Sequence, residues 1–260
     1  MSDQKFTILR DGPIARLCLT NPDRHNAFDD DLILGLTEAF TALGIEPDIR
    51  AVVLEAQGKS FSAGADLNWM QRVAGYSFDQ NLADAGALAE MLRVINFLPK
   101  PVIARVQGAA FGGGVGLVAC CDIAIGSPRA SFCLSEVKLG IIPSAISPYV
   151  VDAIGARAAR RYFQTAERFD AAKALELGLL HDVVEEDALD GAIDGVIQSI
   201  LSVGPIAARE AKDLVFAVDR PITPQVIDDT VHRIARLRAT PEAKEGMAAF
   251  FEKRSPAWKK

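Results

Sequence analysis

The sequence predicts an α/β fold, and three observations carry the prediction. Two predominantly apolar runs of strand length, Ala51-Val-Val-Leu-Glu-Ala56 and Pro101-Val-Ile-Ala-Arg-Val-Gln107, flank a stretch with helical spacing, Phe78–Phe97. Strands that alternate with helices indicate a sheet covered by helices, and strands buried on both faces read as nearly continuous hydrophobic runs. Each run is followed by a cluster of small residues, Phe61-Ser-Ala-Gly-Ala-Asp-Leu67 and Gly108-Ala-Ala-Phe-Gly-Gly-Gly-Val-Gly116, of the kind that turns a strand into a helix.

The elements follow in order. Phe6-Thr-Ile-Leu9 and Ile14-Ala-Arg-Leu-Cys-Leu19 alternate as a hairpin around Asp11-Gly12. Asp29 or Asp30 caps a helix through about Leu43, and Asp66 caps another after the strand at 51–56 and its turn, Gln57-Gly-Lys-Ser60. The glycine run opens a helix through Val115-Gly-Leu-Val-Ala-Cys-Cys121, and two short strands follow near Asp122–Gly126 and Ala130–Leu134. Beyond Pro143 the patterning is almost entirely helical, ending in helices at 206–218, 223–237 and 241–252. Residues 1–203 therefore read as an α/β core and 204–260 as a helical region, with no internal repeat or low-complexity linker.

Composition narrows the classes. Half of the 260 residues are apolar, enough for one sizeable core with a small appendage. The net charge of −6 and the lack of a Lys/Arg stripe argue against a nucleic-acid surface. Cys18, Cys120, Cys121 and Cys133 lie in apolar runs without metal-ligand spacing and read as buried, reduced thiols, which fits a cytoplasmic protein. Met1-Ser-Asp-Gln-Lys5 shows no apolar signal region, and no apolar run is long enough to span a membrane. His25, His181 and His232 are scattered without metal spacing, so no metal site is expected.

The glycine run bears most directly on function. Three consecutive glycines, Gly112–Gly114, strip side chains from the first amides of a helix. Those N–H groups are unpaired and carry partial positive charge, so they can hold an anionic oxygen. A phosphate loop would need a Lys-Ser/Thr pair after the last glycine, and a dinucleotide fold would need Gly-x-Gly-x-x-Gly; neither is present. On this segment alone, close packing of helix on strand and an anion hole are equal readings. The small-residue exit at Phe61–Leu67 offers a second amide, and two converging N–H groups suit a thioester carbonyl that becomes an enolate.

Together these segments resemble the crotonase (enoyl-CoA hydratase/isomerase) superfamily. The similarity extends in order through Arg24-His-Asn-Ala-Phe28, Cys121-Asp-Ile-Ala124, Phe132-Cys-Leu-Ser-Glu-Val-Lys-Leu-Gly140, Ile142-Pro143 and Glu245-Gly-Met-Ala-Ala-Phe-Phe-Glu-Lys-Arg-Ser-Pro256. Within the superfamily, Asn68-Trp-Met70 and Ala119-Cys-Cys-Asp122 look most like the methylglutaconyl-CoA hydratases of bacteria. The resemblance implies a spiral of ββα units and a C-terminal trimerisation region, hence a homo-oligomer, either a trimer or a dimer of trimers. Its implied substrate is an acyl-CoA thioester, with coenzyme A entering as part of the substrate and no separate cofactor.

The site residues are carried over position by position. The resemblance makes the backbone N–H groups of Ala65 and Gly113 the oxyanion donors and Glu136 the proton-transferring carboxylate. Contacts to the coenzyme A portion fall to Arg24, Ala27, Ala63, Asp66, Leu67 and Gly112, with Lys253 for phosphate. Trp69, Met70, Gly116 and Ser144 are expected along the acyl chain; Arg72 and Lys138 read as solvated charges and Asp122 as a structural carboxylate. Two departures stand out. Many hydratases of this superfamily carry a second Glu where this chain has Gly116, and the Gly-rich stretch after Ile-Pro is here Pro143-Ser-Ala-Ile-Ser147. Three functions stay open: a hydratase of a branched 2-enoyl-CoA such as 3-methylglutaconyl-CoA, a single-Glu double-bond isomerase, and a catalytically depleted CoA-thioester binding protein.

Overall fold

The computed structural model describes residues 5–259. Its elements run β1 (Phe6–Asp11), β2 (Ile14–Leu19), α1 (Asp30–Ile45), β3 (Ala51–Ala56), β4 (Ser60–Ser62), α2 (Leu67–Val73), α3 (Phe78–Asn96), β5 (Val102–Val106), β6 (Ala109–Phe111), α4 (Gly113–Ala119), β7 (Ile123–Gly126), β8 (Ser131–Cys133), α5 (Ser147–Thr165), β9 (Phe169–Asp170), α6 (Ala171–Leu177), β10 (Asp182–Val183), α7 (Leu189–Ser202), α8 (Pro205–Val218), α9 (Pro224–Arg238) and α10 (Pro241–Glu252). The expected hairpin, the strand at 51–56 and the C-terminal helices are all present. Asp29 is the cap of α1, accepting the Leu32 N–H at 3.0 Å.

Two sheets organise the first of two compact units, which runs through Leu98 and over Val102–Ile193. The larger has the order β1-β2-β3-β5-β7-β10, parallel apart from the β1/β2 hairpin. Its central strands β3 and β5 are buried almost throughout, which accounts for their apolar runs. The smaller sheet, β4-β6-β8-β9, was not expected. The segments read as plain strand-to-helix turns contain three-residue strands of their own, Ser60–Ser62 and Ala109–Phe111. Two further departures lie beyond Pro143: the two-residue strands β9 and β10, and a break at Gly155 (φ 75°) within α5.

The small sheet matters because β4, β6 and β8 are mutually parallel, with Ser60 opposite Ala109 and Phe111 opposite Cys133. Their C-terminal ends therefore share one edge. In open α/β sheets that edge is where ligands bind, because each strand exit delivers a loop to the same place.

The second unit comprises Pro99–Pro101 and the chain from Asp194 onward. Prolines 205, 224 and 241 open α8, α9 and α10, where the missing N–H costs nothing. Thr223 and Thr240 cap the last two, and the Glu242 carboxylate accepts the Ile206 and Ala207 N–H groups at the start of α8, at 3.0 and 2.8 Å. Large apolar side chains stay exposed here, with Ile222 at 84% and Phe250 and Phe251 each at 78%. Among the described residues no single helix is long and apolar enough to cross a membrane.

Candidate active site

The site is built from the three parallel exits. After β4 the chain passes Gly64 (φ 90°) and forms one parallel bridge, Phe28 with Ala65. The Phe28 N–H donates to the Gly64 carbonyl and the Asp66 N–H donates to the Phe28 carbonyl, each at 2.7 Å. In such a bridge the residue between the two bonds turns its own N–H to the opposite side. The Ala65 N–H accordingly has no acceptor among the described residues.

After β6, Gly112 adopts φ 51° and ψ −120°, a conformation closed to residues with a side chain. Its N–H donates to the Cys133 carbonyl at 2.8 Å, holding the turn to β8. Gly113 then begins α4, and its N–H, one of the orphan donors of a helix start, also has no acceptor among the described residues. Gly114 permits close approach to β4, since a methyl group there would lie 2.3 Å from the Ser62 carbonyl oxygen.

The third exit brings in Glu136, the first residue of a single 3-10 turn after β8. A methyl group at Gly112 would sit 3.1 Å from Glu136 Oε1 and 3.9 Å from Gly64 Cα, so all three exits meet at Gly112. Glu136 Oε2 is buried with no hydrogen-bond partner. Burial raises the Glu136 pKa above the ordinary glutamate value, and its own backbone N–H opposes this only in part. A desolvated carboxylate with one unpaired oxygen, beside two unpaired amides, can exchange a proton with a group whose oxygen those amides hold.

The remaining expected residues divide. Asp66 caps α2, accepting from the Asn68 and Trp69 N–H groups at 2.8 and 3.2 Å, and its other oxygen lies 3.8 Å from Arg24 Nη1. Ala27 is buried, Ala63 donates its N–H to the His25 carbonyl, and Leu67 is exposed. Trp69 is buried, with its indole N–H on Asp84 at 3.0 Å, while Met70 is half-buried. Ser144 is exposed and its carbonyl accepts the Ser147 hydroxyl at 2.7 Å. Lys253 ends α10 in the second unit with φ 55°. Arg72 pairs with Asp30 at 2.6 Å on the surface. Asp122 holds the Val102 N–H at 2.7 Å, a structural clasp. Among the described residues no cluster of metal-ligating side chains occurs.

Gly116 requires a correction. It was expected along the acyl chain, but a methyl group there would lie 2.3 Å from Ile146 Cγ2 and 2.9 Å from Ile146 Cβ. The volume released by the absent side chain belongs to Ile146, which is buried. The two departures from the superfamily pattern are therefore one: Ile146, from the altered 143–147 segment, fills the place of a residue-116 side chain.

The family model described as enoyl-CoA hydratase/isomerase matches residues 10–260. A protein named putative enoyl-CoA hydratase from Thermus thermophilus is 32% identical over 250 residues, 94% of this chain and 97% of its own. A crotonyl-CoA hydratase from Syntrophomonas wolfei is 31% identical over 257 residues, covering 98% and 97%. A crystal structure of an enoyl-CoA hydratase from Shewanella pealeana is 48% identical, covers 99% of this chain and 97% of its own, and superposes with a TM-score of 0.96.

Proposed function

We propose, since this chain belongs to the enoyl-CoA hydratase/isomerase family, that it hydrates a branched 2-enoyl-CoA of the 3-methylglutaconyl type. The thioester oxygen accepts the Ala65 and Gly113 N–H groups. Glu136 takes a proton from water, and the water oxygen bonds to C3. The π electrons pass to C2 and the thioester oxygen, giving an enolate that the two amides stabilise. The protonated Glu136 then delivers its proton to C2, so that one water is added and the carboxylate is regenerated. Losing one such amide donor typically costs about 3–4 kcal/mol of transition-state stabilisation.

The observation that carries this reading is the meeting of three parallel strand exits at Gly112, with a buried, unpaired carboxylate oxygen of Glu136 beside two unpaired amides. The names of the Syntrophomonas and Shewanella relatives favour hydration. The branched acyl group rests on the resemblance at Asn68–Met70 and Ala119–Asp122, with Trp69, Met70 and Ser144 along the acyl chain. Arg24, Ala27, Ala63 and Leu67 contact the coenzyme A portion, and Lys253 serves a phosphate of the coenzyme A bound to a neighbouring subunit. The exposed apolar residues of α8–α10 and the turn before α9 suit a homo-oligomer.

One observation favours a second reading. Position 116 carries no carboxylate and Ile146 occupies its side-chain direction. A lone Glu136 suffices for isomerisation, removing a proton from C2 of a 3-enoyl-CoA and returning it at C4. Turnover of a panel of crotonyl-, 3-methylglutaconyl- and 3-enoyl-CoA separates the readings. Hydration removes the conjugated-enone absorbance and adds 18 mass units, the mass of one water; migration leaves the mass unchanged. Turnover of 3-methylglutaconyl-CoA with gain of water is the expected result, and double-bond migration alone overturns hydration.

A further inference from the structure

Asn26 has no part in the chemistry above, yet its surroundings are unusually complete. It is 1% exposed and holds φ 52°, a left-handed conformation that Asn tolerates better than most residues. Its Oδ1 accepts the Asn21 N–H at 2.9 Å. Its Nδ2 donates to the Gln57 carbonyl at 3.0 Å and to the Ser60 carbonyl at 2.9 Å. Its own carbonyl accepts the Ser62 hydroxyl at 2.9 Å. These bonds fasten the 25–28 segment to both ends of β4. Beyond them the same two segments continue side by side, through Ala63 N–H to the His25 carbonyl and then the paired bonds around Phe28. The last of those bonds turn the Ala65 N–H away from Phe28.

We propose that Asn26 is the positioning residue for the Ala65 amide: it fixes the register of segment 25–28 against β4, and that register aims the N–H at the thioester oxygen. The inference rests on the reading of Ala65 as an oxyanion donor. Residue type follows from the bonds. Asp cannot donate to two carbonyls, and Ala would be strained at φ 52° and leave the Gln57 carbonyl without its amide donor, the Ser60 carbonyl keeping only Gln107 Nε2 at 3.1 Å. Gly accepts φ 52° without strain, so it removes the side-chain bonds while keeping the backbone conformation accessible, and Ser62→Ala, which leaves residue 26 intact, controls for the lost side-chain volume and added backbone freedom.

The test uses Asn26→Gly in the full chain. Butyryl-CoA labelled with ¹³C at the thioester carbonyl has no double bond to hydrate, so its carbonyl stretch can be read in the bound state by isotope-edited infrared spectroscopy. An aimed pair of amides lowers that frequency. Asn26→Gly is expected to lose about 10²-fold in kcat, the usual consequence of a misplacement near 1 Å, with KM changed only a few-fold and a smaller carbonyl shift than wild type. Ser62→Ala removes one bond of the set and should show the same two effects at reduced size, which keeps the test available if Asn26→Gly does not fold. A wild-type carbonyl shift and kcat in either folded variant overturn the positioning role, as does lost kcat with an unchanged shift. Absence of any shift in the wild-type complex overturns the oxyanion reading itself and the inference with it.

Discussion

Gly116 and Ile146 form a matched pair, and a double-mutant cycle measures the match. Carbon atoms settle at about 3.5–4.0 Å, yet a methyl group at residue 116 would stand 2.3 Å from Ile146 Cγ2, with Leu92 Cδ2 a further 3.4 Å contact. Gly116→Ala should therefore cost about 1–3 kcal/mol of overpacking, offset by up to about 1 kcal/mol of helix propensity within α4. Ile146→Ala empties a fully packed site and should cost about 2–5 kcal/mol. Together the two should be less destabilising than their sum, by a coupling of about 1–2 kcal/mol, because the added methyl enters the space the isoleucine vacates. Chemical denaturation at one protein concentration measures each variant; the fixed concentration matters if subunits associate. Additivity within about 0.5 kcal/mol would refute the argument that Ile146 occupies the side-chain place of residue 116. The cycle also bears on chemistry: a carboxylate at 116 is accommodated only after Ile146 is shortened. Gly116→Glu alone should lose activity along with stability, and Gly116→Glu combined with Ile146→Ala should regain part of both.

Two further outcomes follow from the same geometry. Gly113→Val should reduce kcat by about 10²-fold, because a Cβ at this position already lies 2.8 Å from a Phe28 ring carbon and must displace the Gly113 amide or Phe28, whose backbone bridges Ala65; a folded variant with unchanged kcat would make the glycine run packing only. The second concerns pH. Burial, the larger cause, raises the folded Glu136 pKa above its usual 4.5. The stability contributed by its protonated form is complete below the usual value and is lost as pH rises through the raised one. Glu136→Gln stays neutral, so its melting temperature should gain on wild type across that window and level off above it. A difference that does not vary with pH would show a carboxyl of ordinary acidity.

The elements that periodicity and caps reveal were legible in the sequence: the hairpin, Asp29 at the start of α1, the buried β3 and β5, and the C-terminal helices. The small sheet was not. Ser60–Ser62 and Ala109–Phe111 are three residues each, too short for alternation to register, and they exist as strands only because distant segments pair with them. Glu136 illustrates another limit. Its local sequence reads as an exposed loop carboxylate, and the resemblance alone singled it out; the burial that sets its acidity arises from tertiary packing. Ile146 sits 30 positions from Gly116 and looks like any core residue until the two are brought together. Asn26 stood within a quoted motif without a role. Its signal was a His-Asn pair, two residue types that tolerate left-handed backbone, and the structure places both at positive φ.

The central claim is that a buried Glu136 carboxylate moves the proton while backbone amides hold the thioester oxygen. Glu136→Gln tests it most directly, because the amide nearly matches the carboxylate in shape and cannot accept a proton. The measurement is kcat on the best enoyl-CoA of the panel, alongside butyryl-CoA affinity and the bound carbonyl frequency in the same preparation. The account predicts a fall in kcat of about 10²-fold or more, with affinity held within a few-fold and the carbonyl shift retained. Turnover near the wild-type rate by a folded Glu136→Gln protein would contradict it.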